Sequence, residues 1–279
     1  MNNILPLLLS IFLIFSACDN NSAKSDKAIK QSNFQDLQTD FKKWWLYHNQ
    51  NITFDLDFVA MDESGETLDK EEFFSLIQSG LYVIKKTASI DGVNQYQLVK
   101  TDHNMDKSIK MTLKNIGSDA LHNLKKEGKP FPLFSFKDIR GKAYSNESIA
   151  GKTVIVKCWF IGCVACIKEF PELNALVGAY EDRDDLLFLS LAQDADADLI
   201  NFLENKPFAY EVVGNQSGFM NNDLSIRNYP THIVIGKDGV VQKVFETVKG
   251  VENYLGHLVE DGDLNDDQLL PPSPVSQLQ

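Results

Sequence analysis

The stretch from Val154 to Leu173 constrains this chain more than any other. It opens with the β-branched apolar run Val154-Ile155-Val156, which predicts a buried strand. It breaks at Ile161-Gly162 and resumes as a helical pattern opened by Cys163 and Cys166. A helix start offers unpaired backbone N–H groups and the positive end of the macrodipole. Both favour a thiolate over a thiol, so Cys163 is predicted to be activated, with a pKa below the roughly 8.5 of a free cysteine. Cys166 lies one turn on, on the same helix face. It can attack a mixed disulfide formed by Cys163 and release the partner reduced. A half zinc site is the first competing reading. It needs two further ligands, and Cys18, Cys158 and the scattered His48, His103, His122, His232 and His257 supply no second pair. A purely structural disulfide is the second. The strand–turn–helix setting favours a redox pair over both.

The remainder of the 279 residues divides by composition. The net charge of −12, without a basic cluster, argues against a nucleic-acid partner. Ile4 to Ala17 is an apolar run short for a membrane span, so 1–17 reads as a secretory signal. Ser16-Ala17-Cys18 resembles a lipoprotein signal box, with Cys18 as the lipidated residue; the other reading is an ordinary cleaved signal in which Cys18 has no role. Residues 18–33 are polar and small, a tether. Residues 34–120 predict a small α+β region. In it, Phe41 to Tyr47 reads as a helix, Ile52 to Val59 as an alternating strand, and Asp69 to Ile77 as a capped helix ending near Gly80. Leu81 to Ile84 and Tyr96 to Val99 read as strands around an Asp91-Gly92 turn. Its aromatics suit a core better than a partner surface. No catalytic constellation is visible there. Residues 121–260 predict the redox domain, and the acidic, then Pro-rich 261–279 a disordered tail.

Several motifs beyond the two cysteines stand in a recognisable order. They are Phe131-Pro132-Leu133-Phe134, Gly151-Lys152, the strand ending at Trp159, Cys163-Val164-Ala165-Cys166, Glu169-Phe170-Pro171-Glu172-Leu173, Tyr229-Pro230-Thr231-His232 and Lys237-Asp238-Gly239. In these, the region from Gly128 to Leu258 resembles the thioredoxin-fold domain of TlpA-like, membrane-anchored thiol–disulfide oxidoreductases. The resemblance implies an α/β, thioredoxin-like fold with a central helix–strand insertion, here Asp194 to Val213, behind the α+β region. It implies that Tyr229-Pro230 is a cis bond facing the cysteines, where the backbone before the proline pairs with an extended substrate. It also implies that Glu169 serves the resolving thiol.

Against that pattern the chain departs at Gly162, where thioredoxins carry Trp, at Val164-Ala165, where Pro is common, and at Lys157, where a buried Asp or Asn is usual. Lys157 reads either as a strand-end cation reaching for solvent or as a charge beneath the dithiol. In the second reading it pairs with Glu169, and the pair acts as a proton relay for Cys166. The active helix is expected to run on from Ile167 to Tyr180 with a kink at Pro171. Cys158 reads as an inert buried hydrophobe.

The resulting expectation is an extracytoplasmic, lipid-anchored enzyme of a bacterial envelope, facing the periplasm or outside. It reduces disulfides in exported proteins, with a membrane thiol donor restoring its dithiol. No metal and no cofactor beyond the Cys163–Cys166 pair are expected. The alternatives are a non-catalytic partner-binding lipoprotein and a thiol peroxidase. The latter lacks the Pro/Thr setting before its cysteine. If Cys163 is the attacking thiol, iodoacetamide at neutral pH modifies it before Cys166 in the reduced protein. Mass spectrometry of peptides from short labelling times checks the order, and faster labelling of Cys166 reverses the assignment.

Overall fold

A computed structural model describes residues 34–101 and 103–260. Cys18, the signal, the tether and the tail lie outside the described residues.

The N-terminal domain begins with α1 (Phe34–Leu37) and α2 (Phe41–Asn51), the latter capped by the Asp40 carboxylate on the Lys43 N–H. Then follow β1 (Phe58–Met61), β2 (Thr67–Leu68), α3 (Lys70–Gln78), β3 (Tyr82–Ile90), β4 (Val93–Lys100) and α4 (Lys107–Leu124). The strands form one sheet in the order β2-β1-β4-β3, with β1 parallel to β4 and the other pairs antiparallel. Asp91 and Gly92 turn the β3–β4 hairpin with φ of 49° and 81°, the left-handed values that a tight hairpin turn requires. Trp44, Phe73, Ile77, Tyr96, Ile109 and Leu113 fill the core between sheet and helices. Most of the aromatic content is thus internal, with Trp45 the exception at 42% exposure.

Two expectations are corrected here. Of the strand expected over Ile52 to Val59 only Phe58 and Val59 are in a strand; Ile52 to Asp57 are not, because the Tyr96 hydroxyl accepts from the Thr53 N–H and donates to the Thr53 carbonyl, both at 3.0 Å. Those bonds satisfy the backbone locally and leave a loop whose Phe54 packs among Phe58, Phe74 and Tyr96. Burial does not alternate there, since Thr53 to Leu56 are all partly buried, and β1 starts only at Phe58. The boundary at 120/121 falls inside α4, whose Leu121 still belongs to the N-terminal core.

The second domain opens with the hairpin β5 (Ser135–Lys137) and β6 (Ala143–Ser145). It continues through β7 (Thr153–Trp159), α5 (Val164–Lys168), α6 (Phe170–Ala179) and β8 (Leu186–Ala192). The inserted pair α7 (Asp196–Leu203) and β9 (Glu211–Val213) precedes α8 (Ser217–Asn222). The chain closes with β10 (Thr231–Ile235), β11 (Val241–Phe245) and α9 (Val248–Glu260). The sheet order is β11-β10-β7-β8-β9, parallel from β7 to β9 and antiparallel across β10 and β11. Every residue of β7 is buried, Lys157 included, as its apolar run interrupted by a single charge requires of a strand covered on both faces. Val154, Val156 and Cys158 point to one face, with the β5–β6 hairpin and α8. Ile155 and Trp159 point to the other, with α6, α9 and the cysteines.

The active-site helix also differs from expectation. It does not bend at Pro171; it ends at Lys168 and restarts at Phe170, with Glu169 as the shared cap. Pro171 sits in the first turn of α6, where its missing N–H leaves no bond unmade.

The domains meet along β11, the start of α9 and the segment before Tyr229. The His122 Nε2 lies 2.7 Å from the Ser225 carbonyl, Asn228 donates to Asp119 at 2.9 Å, and Lys243 pairs with Glu127 at 2.9 Å. In the N-terminal domain, α3 and α4 cross at Gly117, where a Cβ would stand 2.4 Å from the Gln78 nitrogen and 2.8 Å from the Phe74 carbonyl oxygen. Backbone on that side cannot swing away. Gly117→Ala is therefore expected to destabilise the protein by about 2–3 kcal/mol, despite the better helix propensity of alanine. Urea unfolding measures it, and an unchanged midpoint would mean that the two helices slide apart at little cost.

Candidate active site

The site starts from the end of β7. The strand delivers Trp159 to full burial, and the Ile161 N–H donates to the Asp194 carboxylate at 2.8 Å, fixing the loop. Cys163 is the N-cap of α5, in extended backbone at φ −80° and ψ 93°. Its Sγ accepts from the Cys166 N–H at 3.1 Å, so the sulfur takes the place of the usual capping oxygen. That is the geometry in which a helix start stabilises a thiolate. Cys163 and Cys166 are bonded to each other, with Cα atoms 5.3 Å apart. Cys163 is 7% exposed and Cys166 is fully enclosed. Tyr229-Pro230 is a cis peptide. Tyr229 packs against the cluster that contains both cysteines, its ring edge-on to Phe160 at 5.4 Å and its hydroxyl held by Gln193 at 2.8 Å. Val164, 68% exposed, gives the rim beside Cys163 an apolar surface.

Beneath the helix break lies a buried charged cluster. Lys157 on β7 is fully buried, which removes the reading of a cation reaching for solvent. Its Nζ lies 2.5 Å from Glu169 Oε2. His232, its direct cross-strand partner on β10, places Nε2 3.0 Å from the same oxygen. The other oxygen, Oε1, accepts from the Val248 N–H at 3.0 Å, at the first residue of α9. Burial alone would raise the Glu169 pKa; the His232 and Lys157 contacts outweigh it and hold the carboxyl at about 2. Burial pulls the Lys157 ammonium below its ordinary value, with Glu169 opposing that pull. Burial likewise lowers His232, so its imidazole is neutral at pH 7. A neutral ring facing a carboxylate carries its proton on Nε2. Nδ1 is then an acceptor, and no donor among the described residues reaches it. Next along the same row, Ser190 on β8 pairs with Lys157 in register, and its Oγ is likewise buried without a partner.

Thus Lys157 and Glu169 are brought together, and Cys163, Cys166, Tyr229 and Pro230 gather at the end of β7. The role of His232 was not visible in the sequence, where it stood only as the last residue of a motif. The signal was its position two residues after Pro230 on a strand pairing with β7. Cys158 is buried on the opposite face, its thiol pushed up to about 12 by burial, which makes it a poor nucleophile. Among the described residues no three metal-ligating side chains converge.

Residues 128–244 match the model of the AhpC/TSA family. The thiol-disulfide oxidoreductase ResA of Bacillus cereus is 28% identical over 134 residues, covering 46% of this chain and 76% of that protein. The thioredoxin-like protein YneN of Bacillus subtilis is 25% identical over 120 residues, covering 42% and 70%. Among solved structures, the thioredoxin domain of a thiol-disulfide oxidoreductase from Bacteroides vulgatus aligns with a TM-score of 0.44 at 22% identity, covering 48% of this chain and 97% of that one. A putative thiol:disulfide interchange protein DsbE from Chlorobium tepidum aligns at 0.42 and 20%, covering 47% and 95%.

The depressed Glu169 pKa has a consequence for stability. A carboxyl whose folded pKa lies below its unfolded value stabilises the fold above the unfolded pKa and loses that contribution as pH falls toward the folded one. The window here runs from about pH 5 down to about 2. The gross contribution is on the order of 3 kcal/mol, from which the cost of burying Lys157 is subtracted. The stability difference between wild type and Glu169→Gln should therefore be largest above pH 5 and shrink toward pH 2. Denaturant titrations across that range measure it; a difference that does not change with pH would remove the ionised carboxylate from the account.

Proposed function

We propose that the chain is a thiol–disulfide oxidoreductase that reduces disulfides in exported proteins. The thioredoxin-type α/β domain and the similarity to oxidoreductases of this class support the reaction type. One observation carries the reading: a bonded cysteine pair at a helix start, with the first residue slightly exposed at 7%, the second fully enclosed, and the Tyr229-Pro230 loop beside them.

The reaction follows from that asymmetry. In the reduced enzyme the Cys163 thiolate, favoured by the α5 N-terminus, attacks one sulfur of a client disulfide, and the other client sulfur leaves as a thiolate. Cys166, held one turn away, then attacks Cys163 Sγ. The Cys163–Cys166 bond forms, the second client sulfur is expelled, and two electrons have passed to the client. Two protons complete its dithiol. A donor thiol pair reverses the change in the enzyme. The Tyr229-Pro230 loop supplies the substrate-facing backbone, and Val164 an apolar rim. Lys157 and Glu169 act from beneath as positioning residues. A carboxylate that holds its proton only near pH 2 is a weak base toward a thiol. A neutralised ion pair that fixes the charge near Cys166 therefore fits the geometry better than a simple proton carrier.

The location belongs to the same proposal. The apolar 1–17 followed by Cys18 supports export and lipid attachment, and 18–33 suits a tether. No helix among the described residues is long and apolar enough to cross a membrane. Clients would be disulfide-containing exported proteins, and a membrane thiol system would serve as donor, with no further cofactor.

The reading is tested with Cys166→Ala, which cannot resolve. It should accumulate mixed disulfides through Cys163 that dithiothreitol releases, while wild type turns over a model protein disulfide. No adducts and no turnover would end the proposal. Stopped-flow kinetics then separate the steps: Lys157→Met, which removes the cationic donor of Glu169 and leaves it His232 and the Val248 N–H, should slow resolution by about tenfold, equivalent to 1.4 kcal/mol, and leave attack by Cys163 nearly unchanged. An unchanged rate of resolution would leave Lys157 with a structural role only.

A further inference from the structure

The first turn of α9 is held from two sides, by carboxylates belonging to two different domains. From the redox site, Glu169 Oε1 takes the Val248 N–H at 3.0 Å. From the N-terminal domain comes Asp55, in the loop that Tyr96 pins. Its Oδ1 accepts from the Glu246 N–H at 3.4 Å, and its Oδ2 accepts from the Thr247 hydroxyl. Thr247 in turn caps the helix, its Oγ1 accepting from the Gly250 N–H at 3.4 Å. Gly250 is the residue that permits this approach: a Cβ there would stand 2.9 Å from the Asp55 Cβ and 2.5 Å from the Phe245 ring. Two of these contacts, on the Val248 and Gly250 N–H groups, satisfy first-turn donors of the helix that have no partner within it. The carboxylates also feel each other: burial raises the proton affinity of Asp55, the bonds from Thr247 and Glu246 oppose that rise, and the charge of Glu169 adds to it.

We infer that the N-terminal domain is a positioning element for the redox site, acting through Asp55 and the first turn of α9 on Glu169. This rests on the oxidoreductase reading above. The route is short and made of directed bonds: Asp55 fixes Thr247, Thr247 fixes the helix start, and the Val248 N–H is one of the donors that aim Glu169. Glu169 caps the end of α5, three residues after Cys166. Loss of the Asp55 grip lets the Val248 N–H drift, which changes how firmly the negative charge is held beneath Cys166. The oxidised and reduced pairs respond differently, since only the reduced pair carries ionisable sulfur. The coupling is reciprocal: a redox state that alters Glu169 alters the hold of one domain on the other by the same factor.

The test is the thiol–disulfide equilibrium of the full-length protein with glutathione, in which the Cys163–Cys166 disulfide and two glutathione thiols exchange for the enzyme dithiol and one glutathione disulfide. Asp55→Ala should shift that equilibrium constant by about fivefold or more. Asp55→Asn keeps one acceptor oxygen of the two that Glu246 and Thr247 use, and should shift the constant less than Asp55→Ala does. Thr247→Val cuts the same link from the other domain and should reproduce the shift, so a poorly folding Asp55→Ala does not block the test. Lys243→Met breaks the Glu127 contact between the same domains away from α9 and should leave the equilibrium unchanged. The inference is overturned if folded Asp55→Ala or Thr247→Val keeps the wild-type constant. It is equally overturned if Lys243→Met shifts the constant as much, which would make any loosening of the interface equivalent. Failure of the wild-type cysteines to exchange with glutathione at all would instead sink the oxidoreductase reading, so the two failures are distinct.

Discussion

The carboxylate of Glu169 accepts from Lys157 Nζ, His232 Nε2 and the Val248 N–H, and much of the site depends on that arrangement. An unpaired lysine at zero exposure would cost several kcal/mol or lose its proton. Glu169 makes the burial of Lys157 tolerable. Conversely, a carboxylate at the seam of two helices would be forced toward its neutral form without donors. Strand β7 supplies one donor, β10 a second, and the start of α9 a third, so a single side chain ties the sheet to the helices on one face. What places Glu169 there is the helix break, and the proline at 171 favours that break. A continuous helix would carry position 169 on one side of a cylinder. The interruption turns its carboxylate down between α5 and α6, onto the row formed by His232, Lys157 and Ser190.

This chain of causes explains what was legible in the sequence. The redox core was, because each part rests on local rules: β-branched residues for β7, Gly162 before a helix start, and cysteines one turn apart. The hairpin at Asp91-Gly92 and the cap at Asp69 were legible for the same reason. The pairing of Lys157 with Glu169 could be anticipated from spacing and strand position. His232 could not, since its role depends on the register of β10 against β7, a long-range property that no window of sequence contains. The loop at Ile52 to Asp57 misled for a similar reason. Its alternation is that of a strand, and what prevents the strand is a hydroxyl from Tyr96, far along the chain.

The asymmetry between the two cysteines completes the picture. Cys163 caps α5 with its sulfur and keeps a small opening to solvent, whereas Cys166 is enclosed by Trp159, Phe170 and their neighbours. The helix start acts on the less buried cysteine, and the buried ion pair lies on the same face of β7 as the cysteine cluster. Cys158, one residue after Lys157, shows what the fold does to a cysteine given neither setting: it lies on the other face of β7, surrounded by apolar side chains, with its thiol raised to about 12. Alternation along one strand therefore separates an inert thiol from the charge beside it in sequence. That separation depends on the β7 register. A one-residue slip would exchange the faces, placing Lys157 in the apolar core and Cys158 beneath the helix break. The Lys157–Glu169–His232 cluster opposes that slip more strongly than the apolar residues of β7 can, since Val154, Ile155 and Val156 are accepted by a core on either side, and a buried ammonium is accepted on one.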